Sequence, residues 1–137
     1  MFFILPWELR QTGPPKGVPV VNLALIALNM LFYLLGGSWV VGPDTSLLSI
    51  VLYAFCHTNV WHLLLNMWTL WVFGNPVNRR LGNGLYLLAY LGTAVVLGLF
   101  ARLVLPVGLA GSSGAIYAVI AIALILMPTA VLRIACL

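Results

Sequence analysis

Three groups of residues in this sequence have the types and spacing for chemistry. In Gly111-Ser112-Ser113-Gly114-Ala115-Ile116-Tyr117 a serine opens a long apolar run. Ser113 and Tyr117 are four apart, so on a helix they share a face. Glycines such as Gly111 and Gly114 let a second helix backbone come close, which points to packing as readily as to a nucleophile. The second group lies in Cys56-His57-Thr58-Asn59-Val60-Trp61-His62-Leu63-Leu64-Leu65-Asn66. His62 and Asn66 share a helix face, whereas His57 falls about 140° from His62 on a continuous helix. A zinc pair needs histidines four apart with an acid nearby, and Glu8 and Asp44 are the only carboxylates. No metal is therefore expected. His62 and Asn66 fit two roles, hydrogen-bond donors on one wall of a cavity or polar glue between helices. Left unpaired in hydrocarbon they would be costly, so they must face protein or water.

The elements that position these groups follow from composition. Of 137 residues, 64% are hydrophobic and 6% charged, against about 25% charged in a soluble domain. The chain is an integral membrane protein. Six basic and two acidic residues give a net charge of +4, and their placement reports topology, not a nucleic-acid surface. Cys56 and Cys136 form no disulfide framework.

Four spans are expected in one all-α polytopic bundle. Residues 1–7 read as a short cytoplasmic or interfacial lead, and 8–19, rich in Gly and Pro, as a loop. A first span covers 20–35, extended by flanking residues as far as 41 to reach bilayer length. Residues 47–56 read as a half-inserted lead-in to a second span at 60–73. A polar turn is expected over 74–84, a third span over 85–105, a short connection at 107–110, and a fourth helix from Ser113 to Met127, ended by Pro128. The organisation is thus a cytoplasmic segment at 1–19, a transmembrane domain at 20–128 and a tail at 129–137.

No Lys or Arg occurs between Gly17 and Asn78. Arg10 and Lys16 precede the first span, Arg79 and Arg80 follow the second, and Arg133 follows the fourth. The positive-inside rule puts these in the cytoplasm, with Arg102 an exception that can snorkel. His57, His62 and Ser113 then all lie at the outer side, at one membrane level.

At this point the chain resembles the rhomboid intramembrane serine proteases. The resemblance rests on His57-x4-His62-x3-Asn66, on Phe73-Gly74-x3-Asn78-Arg79-Arg80-Leu81-Gly82, and on Gly111-x-Ser113-Gly114-Ala115-Ile116-Tyr117, in that order. It implies Ser113 as nucleophile, with the side chains of His62 and Asn66 and the Ser113 amide as the oxyanion hole. His57 would brace the loop before the second helix, and Tyr117 would pack on the catalytic imidazole. The implied reaction is hydrolysis of peptide bonds in or beside transmembrane segments, without a cofactor. The implied partners are transmembrane protein substrates and the lipid bilayer, in a bacterial plasma membrane.

The pattern departs from the family in one decisive place. Rhomboids take their general base from a histidine on a later helix, and the only histidines in this sequence are His57 and His62. Asn78 stands where the family's turn usually has glutamate, and Ala121 replaces a common glycine. A truncated or frameshifted rhomboid is the expectation. Two alternatives compete with it: an inactive rhomboid-like protein that binds transmembrane segments without cleavage, and an unrelated helical subunit.

Overall fold

The computed structural model describes residues 4–10, 17–37, 39–104 and 108–136. Lys16, most of the Gly/Pro-rich loop before the first span, Leu105 and Val107 lie outside the described residues. Helix α1 runs Val20–Leu34. The extension of the first span to residue 41 does not occur. Gly36 adopts φ 70°, a left-handed conformation that glycine takes without Cβ strain. The chain turns there, and Val41 and Leu109 exchange backbone hydrogen bonds of 2.9 and 2.8 Å.

The lead-in is a pair of short turns: α2, Ser49–Leu52, and a 3₁₀ turn, Tyr53–Phe55. It packs on α5, Asn83–Val104, where Gly98 leaves room. A Cβ there would sit 2.7 Å from the Ile50 carbonyl oxygen. Tyr53 secures the contact by donating its hydroxyl to the Ala94 carbonyl at 2.8 Å.

The expected polar turn at 74–84 is instead mostly helix. Helix α3, Val60–Thr69, passes through a π turn at Leu70–Gly74 into α4, Asn75–Leu81. Pro76 has no N–H for the helical ladder, and the chain crosses this point with the wider turn. Only Gly82, at φ 82°, ends the helix. The asparagines that look like turn formers serve a buried cluster. Asn22 on α1 donates its backbone N–H to Asn78 Oδ1 at 2.9 Å. Its side-chain amide donates to the Leu70 carbonyl and to Asn75 Oδ1, each at 2.9 Å. Tyr86 donates to Asn22 Oδ1 at 2.5 Å, and Asn78 donates to Asn83 at 3.0 Å.

Helix α6 spans Ser113–Leu126 and packs on α5, where Gly114 lies against Leu97. The buried core joins Leu25 of α1, Leu63 and Met67 of α3, Tyr86, Tyr90 and Ala94 of α5, and Ile116 and Val119 of α6. Large apolar side chains such as Leu64, Leu88, Leu103, Leu124 and Ile125 are exposed, as a hydrocarbon surround requires. Among the described residues, α5 is the one helix long and apolar enough by itself to cross a membrane, while α1 and α6 are shorter apolar helices.

The fold is mostly helical but not wholly so. The N-terminal lead forms strand β1, Ile4–Arg10, and the tail forms β2, Val131–Cys136. They pair antiparallel from Ile4↔Cys136 to Arg10↔Val131, with an irregularity between Pro6 and Glu8. Pro6 has no ladder donor and is accommodated at that irregularity.

Candidate active site

Each element delivers one part of the site. Asn59 caps α3 by accepting the His62 N–H at 2.8 Å, which fixes where the first turn of α3 begins. His62 and Asn66 then project from this helix one turn apart, His62 half-buried and Asn66 buried. Opposite them, Gly111 donates its N–H to the Tyr53 carbonyl at 2.8 Å and adopts φ 106°. The His62 ring lies directly against it, since a Cβ on Gly111 would stand 2.7 Å from His62 Cε1 and 3.3 Å from Nε2. Ser113, the first residue of α6, is two positions further on, so its Cα lies within roughly 7 Å of that of Gly111.

His57 lies in the loop between the 3₁₀ turn and α3. Its Nε2 is 3.2 Å from Ser112 Oγ and 3.0 Å from Asn66 Nδ2. The amide of Asn66 donates, so Nε2 accepts and the proton belongs on Nδ1. Nδ1 meets no partner of full hydrogen-bond geometry among the described residues, although the Phe55 carbonyl lies near enough to favour its proton. Burial, and then the His62 imidazole beside it, hold His57 down to about 4 from its usual 6.5. The two rings meet edge-on, 5.1 Å between centroids. His57 is therefore neutral at neutral pH.

Ser112 caps α6 by position but makes no side-chain capping bond, because its hydroxyl is turned to His57. The first amides of α6 have no intrahelical acceptor. A helix N-terminus with open amides, beside an imidazole and a carboxamide, can stabilise a developing oxyanion.

The structure thus brings His57, His62, Asn66, Gly111, Ser112 and Ser113 to one place. It pairs His57 with Ser112, the serine that spacing did not select. Tyr117 is 71% exposed and touches neither imidazole in the hydrogen bonds and ring contacts described. Cys56 is buried and free; its sulfur accepts the Trp39 N–H at 3.2 Å, a packing role. Among the described residues no cluster of three His, Cys, Asp or Glu forms. Sequence reasoning did not single out Tyr90 and Asn29, both fully buried in the core of the fold. Their one signal was polarity inside otherwise apolar runs.

The model of the rhomboid domain matches residues 44–137, which takes in His57, His62, Asn66, Gly111, Ser112 and Ser113. The chain belongs to the rhomboid family. It is 36% identical over 83 residues to the yeast protein named Rhomboid protein 1, mitochondrial, covering 56% of this chain and 24% of that one. It is 40% identical over 73 residues to Rhomboid-like protein 11, chloroplastic, of Arabidopsis thaliana, covering 52% and 26%. Against Rhomboid protease GlpG of Yersinia enterocolitica it is 30% identical over 119 residues, covering 80% of this chain and 42% of that protein. This rhomboid chain spans less than half the length of these curated relatives. No solved structure is significantly similar to it. As a rhomboid it is a membrane protein of a family that contains named proteases.

Proposed function

We propose that this rhomboid chain is the serine-bearing part of an intramembrane endopeptidase that hydrolyses peptide bonds in or next to transmembrane segments of its substrates. The observation that carries the reading is the seat of His62 against Gly111, two residues before Ser113 at the open N-terminus of α6. Ser113 Oγ attacks the scissile carbonyl and gives its proton to a base. His62, Asn66 and the Ser113 amide hold the oxyanion, each donor contributing about 3 kcal/mol. An amide has two N–H donors, so the bond from Asn66 to His57 leaves one for this purpose. The protonated amine then leaves, and water resolves the acyl-enzyme. His57, Gly111, Gly114 and Tyr117 support the site. No cofactor is required.

The base is the missing group. His57 Nε2 is engaged by Asn66 and Ser112, and His62 belongs to the oxyanion side. The base is accordingly a histidine outside residues 1–137, and without it kcat falls on the order of 10⁶.

Four crossings are proposed, by α1, the composite α3–α4, α5 and α6, within a membrane domain at 20–128. Residues 1–19 and the tail 129–137 then lie in the cytoplasm, and the serine faces outward. Pairing of β1 with β2 supports this arrangement, since both chain ends must lie on one side and the crossings must be even in number. The placement of Lys and Arg favours the cytoplasm for that side. Similarity to the Yersinia protein over most of the chain favours a bacterial plasma membrane.

The test is cleavage of a transmembrane reporter by the complete parent protein in proteoliposomes. Loss of cleavage on Ser113→Ala, with loss of labelling by a fluorophosphonate, is expected. A parent that binds the reporter yet never cuts it would favour the second reading, an inactive binder of transmembrane segments. That reading is kept because His57 Nε2 is already engaged by Asn66 and Ser112.

A further inference from the structure

The serine beside the nucleophile is the more deeply buried of the two. Ser112 is 0% exposed, and its carbonyl and hydroxyl are both engaged. The carbonyl accepts the Ile116 N–H at 3.0 Å, which starts the ladder of α6. The hydroxyl lies 3.2 Å from His57 Nε2. Gly111, the residue before, is held on the Tyr53 carbonyl, so the turn that leads to Ser113 is fixed on both sides of the Gly111–Ser112 link. His57 Nε2 has a second neighbour, Asn66 Nδ2 at 3.0 Å. Two donors therefore meet at one ring nitrogen, and an imidazole nitrogen that accepts has a single lone pair.

We infer that Ser112 is a positioning residue for Asn66, acting through the lone pair that the two share on His57. The Asn66 amide and the Ser112 hydroxyl each point a hydrogen at Nε2. A shared acceptor gives each donor a weaker bond than it would make alone, and the shorter distance belongs to Asn66. The Ser112 hydroxyl thereby limits how firmly His57 draws Asn66 to itself. The carboxamide is planar, so the direction of its bond to His57 also sets the direction of its second Nδ2 hydrogen, the one left for an oxyanion. Without the hydroxyl, the amide moves onto Nε2 and that second hydrogen turns with it. The two donors come from different elements, Asn66 from α3 and Ser112 from the turn into α6. One nitrogen thus sets the oxyanion donor against the nucleophile. Helix capping alone would put the Ser112 hydroxyl on an amide of α6, and no such bond is made.

The use of Asn66 rests on the protease reading, whereas the shared lone pair does not. The experiment therefore has two readouts. The 137-residue chain with ¹⁵N-labelled asparagine is examined by NMR in lipid bicelles as wild type, Ser112→Ala, Ser112→Cys and Ser49→Ala. Ser112→Ala should move the Asn66 Nδ2 proton that faces His57 downfield, the mark of a shorter hydrogen bond. Ser112→Cys, whose thiol is a weak donor, should move it less and in the same direction. Ser49→Ala removes another buried hydroxyl, one that bonds Ser46, and should leave the resonance in place. In the complete parent, fluorophosphonate labelling of Ser113 should slow about fivefold in Ser112→Ala, the loss expected for one net hydrogen bond. The loss should fall on the maximal rate of labelling and not on the probe concentration at half that rate. A resonance that stays in place or moves upfield in Ser112→Ala overturns the inference, as does labelling that Ser112→Ala leaves unchanged or quickens. Should Ser112→Ala fail to fold, the sign of the Ser112→Cys shift decides. A downfield shift with a wild-type parent that no probe labels leaves the inference about Asn66 standing and sinks the protease reading.

Discussion

The side-chain amide of Asn22 donates to the main-chain carbonyl of Leu70, 48 residues away, at 2.9 Å. That bond ties the first turn of α1 to the π turn at Leu70–Gly74. Gly74, at the end of the same turn, leaves the space that Asn22 Oδ1 and the Tyr86 hydroxyl fill. A Cβ there would stand 2.6 Å from the Tyr86 oxygen and collide with Asn22. One asparagine thereby joins α1, the π turn, α4 and α5.

Replacing Asn22 by Leu should be among the most destabilising single changes in the chain. It removes the partner of Tyr86 and Asn75 together and leaves buried polar atoms unpaired, at a cost of about 2–4 kcal/mol. Tyr86→Phe removes one end of one bond and should cost about 1–2 kcal/mol. Reversible unfolding in mixed micelles measures both; equal stability of Asn22→Leu and wild type would contradict the role of the cluster.

Gly111→Ala and Gly114→Ala should differ although both crowd a neighbour. At Gly111 the new Cβ meets the His62 ring at 2.7 Å in a backbone with φ 106°, so strain and displacement coincide. At Gly114 it meets the flexible end of Leu97, which can turn aside. A loss of about 2 kcal/mol or more is expected for the first and clearly less for the second. Melting temperatures of the two variants, measured side by side, decide the ranking.

Acid should weaken the fold through His57. Its value falls from 6.5 in the unfolded chain to about 4 in the fold, through burial and then the neighbouring His62. Above pH 6.5 both states are neutral and the residue contributes no pH dependence. Between 6.5 and about 4 the unfolded chain takes up a proton that the folded chain refuses, so stability falls as pH falls. Below about 4 the effect levels off. His57→Gln should flatten this part of the stability–pH curve, and a slope that survives the substitution would assign the effect elsewhere.

The orientation of the chain is open to direct labelling. Single cysteines at Asp44 and Asn83, in a background without Cys56 and Cys136, should react differently with an impermeant maleimide in intact cells. Reaction at 44 alone is expected. Reaction at 83 from outside would reverse the topology.

The helices were legible because apolar runs are local signals, and the shared level of His62 and the serine turn followed from the placement of Lys and Arg. Apolar runs mark α1, α5 and α6, and the four-residue spacing of His62 and Asn66 marks one face. Three features were not legible, each for a physical reason. Asn75, Pro76, Asn78 and Gly82 carry local turn signals, but Asn22 on another helix donates to the side-chain oxygens of Asn75 and Asn78, and the helix continues to Leu81. Which of two adjacent serines faces His57 depends on the φ of 106° at Gly111, a torsion that residue types do not display. The β1–β2 ribbon joins segments more than 120 positions apart, and neither six- or seven-residue strand announces its partner.

That ribbon also imposes an order of events during synthesis. Ile4–Arg10 leaves the ribosome well before its partner Val131–Cys136, with α1 to α6 made in between. Throughout elongation β1 is an unpaired edge, exposed to adventitious pairing. Closing so long a loop in a free chain is entropically unfavourable, but packed helices bring the two ends together beforehand. The ribbon therefore forms after α1 to α6 have packed, and its protection from hydrogen exchange would mark their completed insertion.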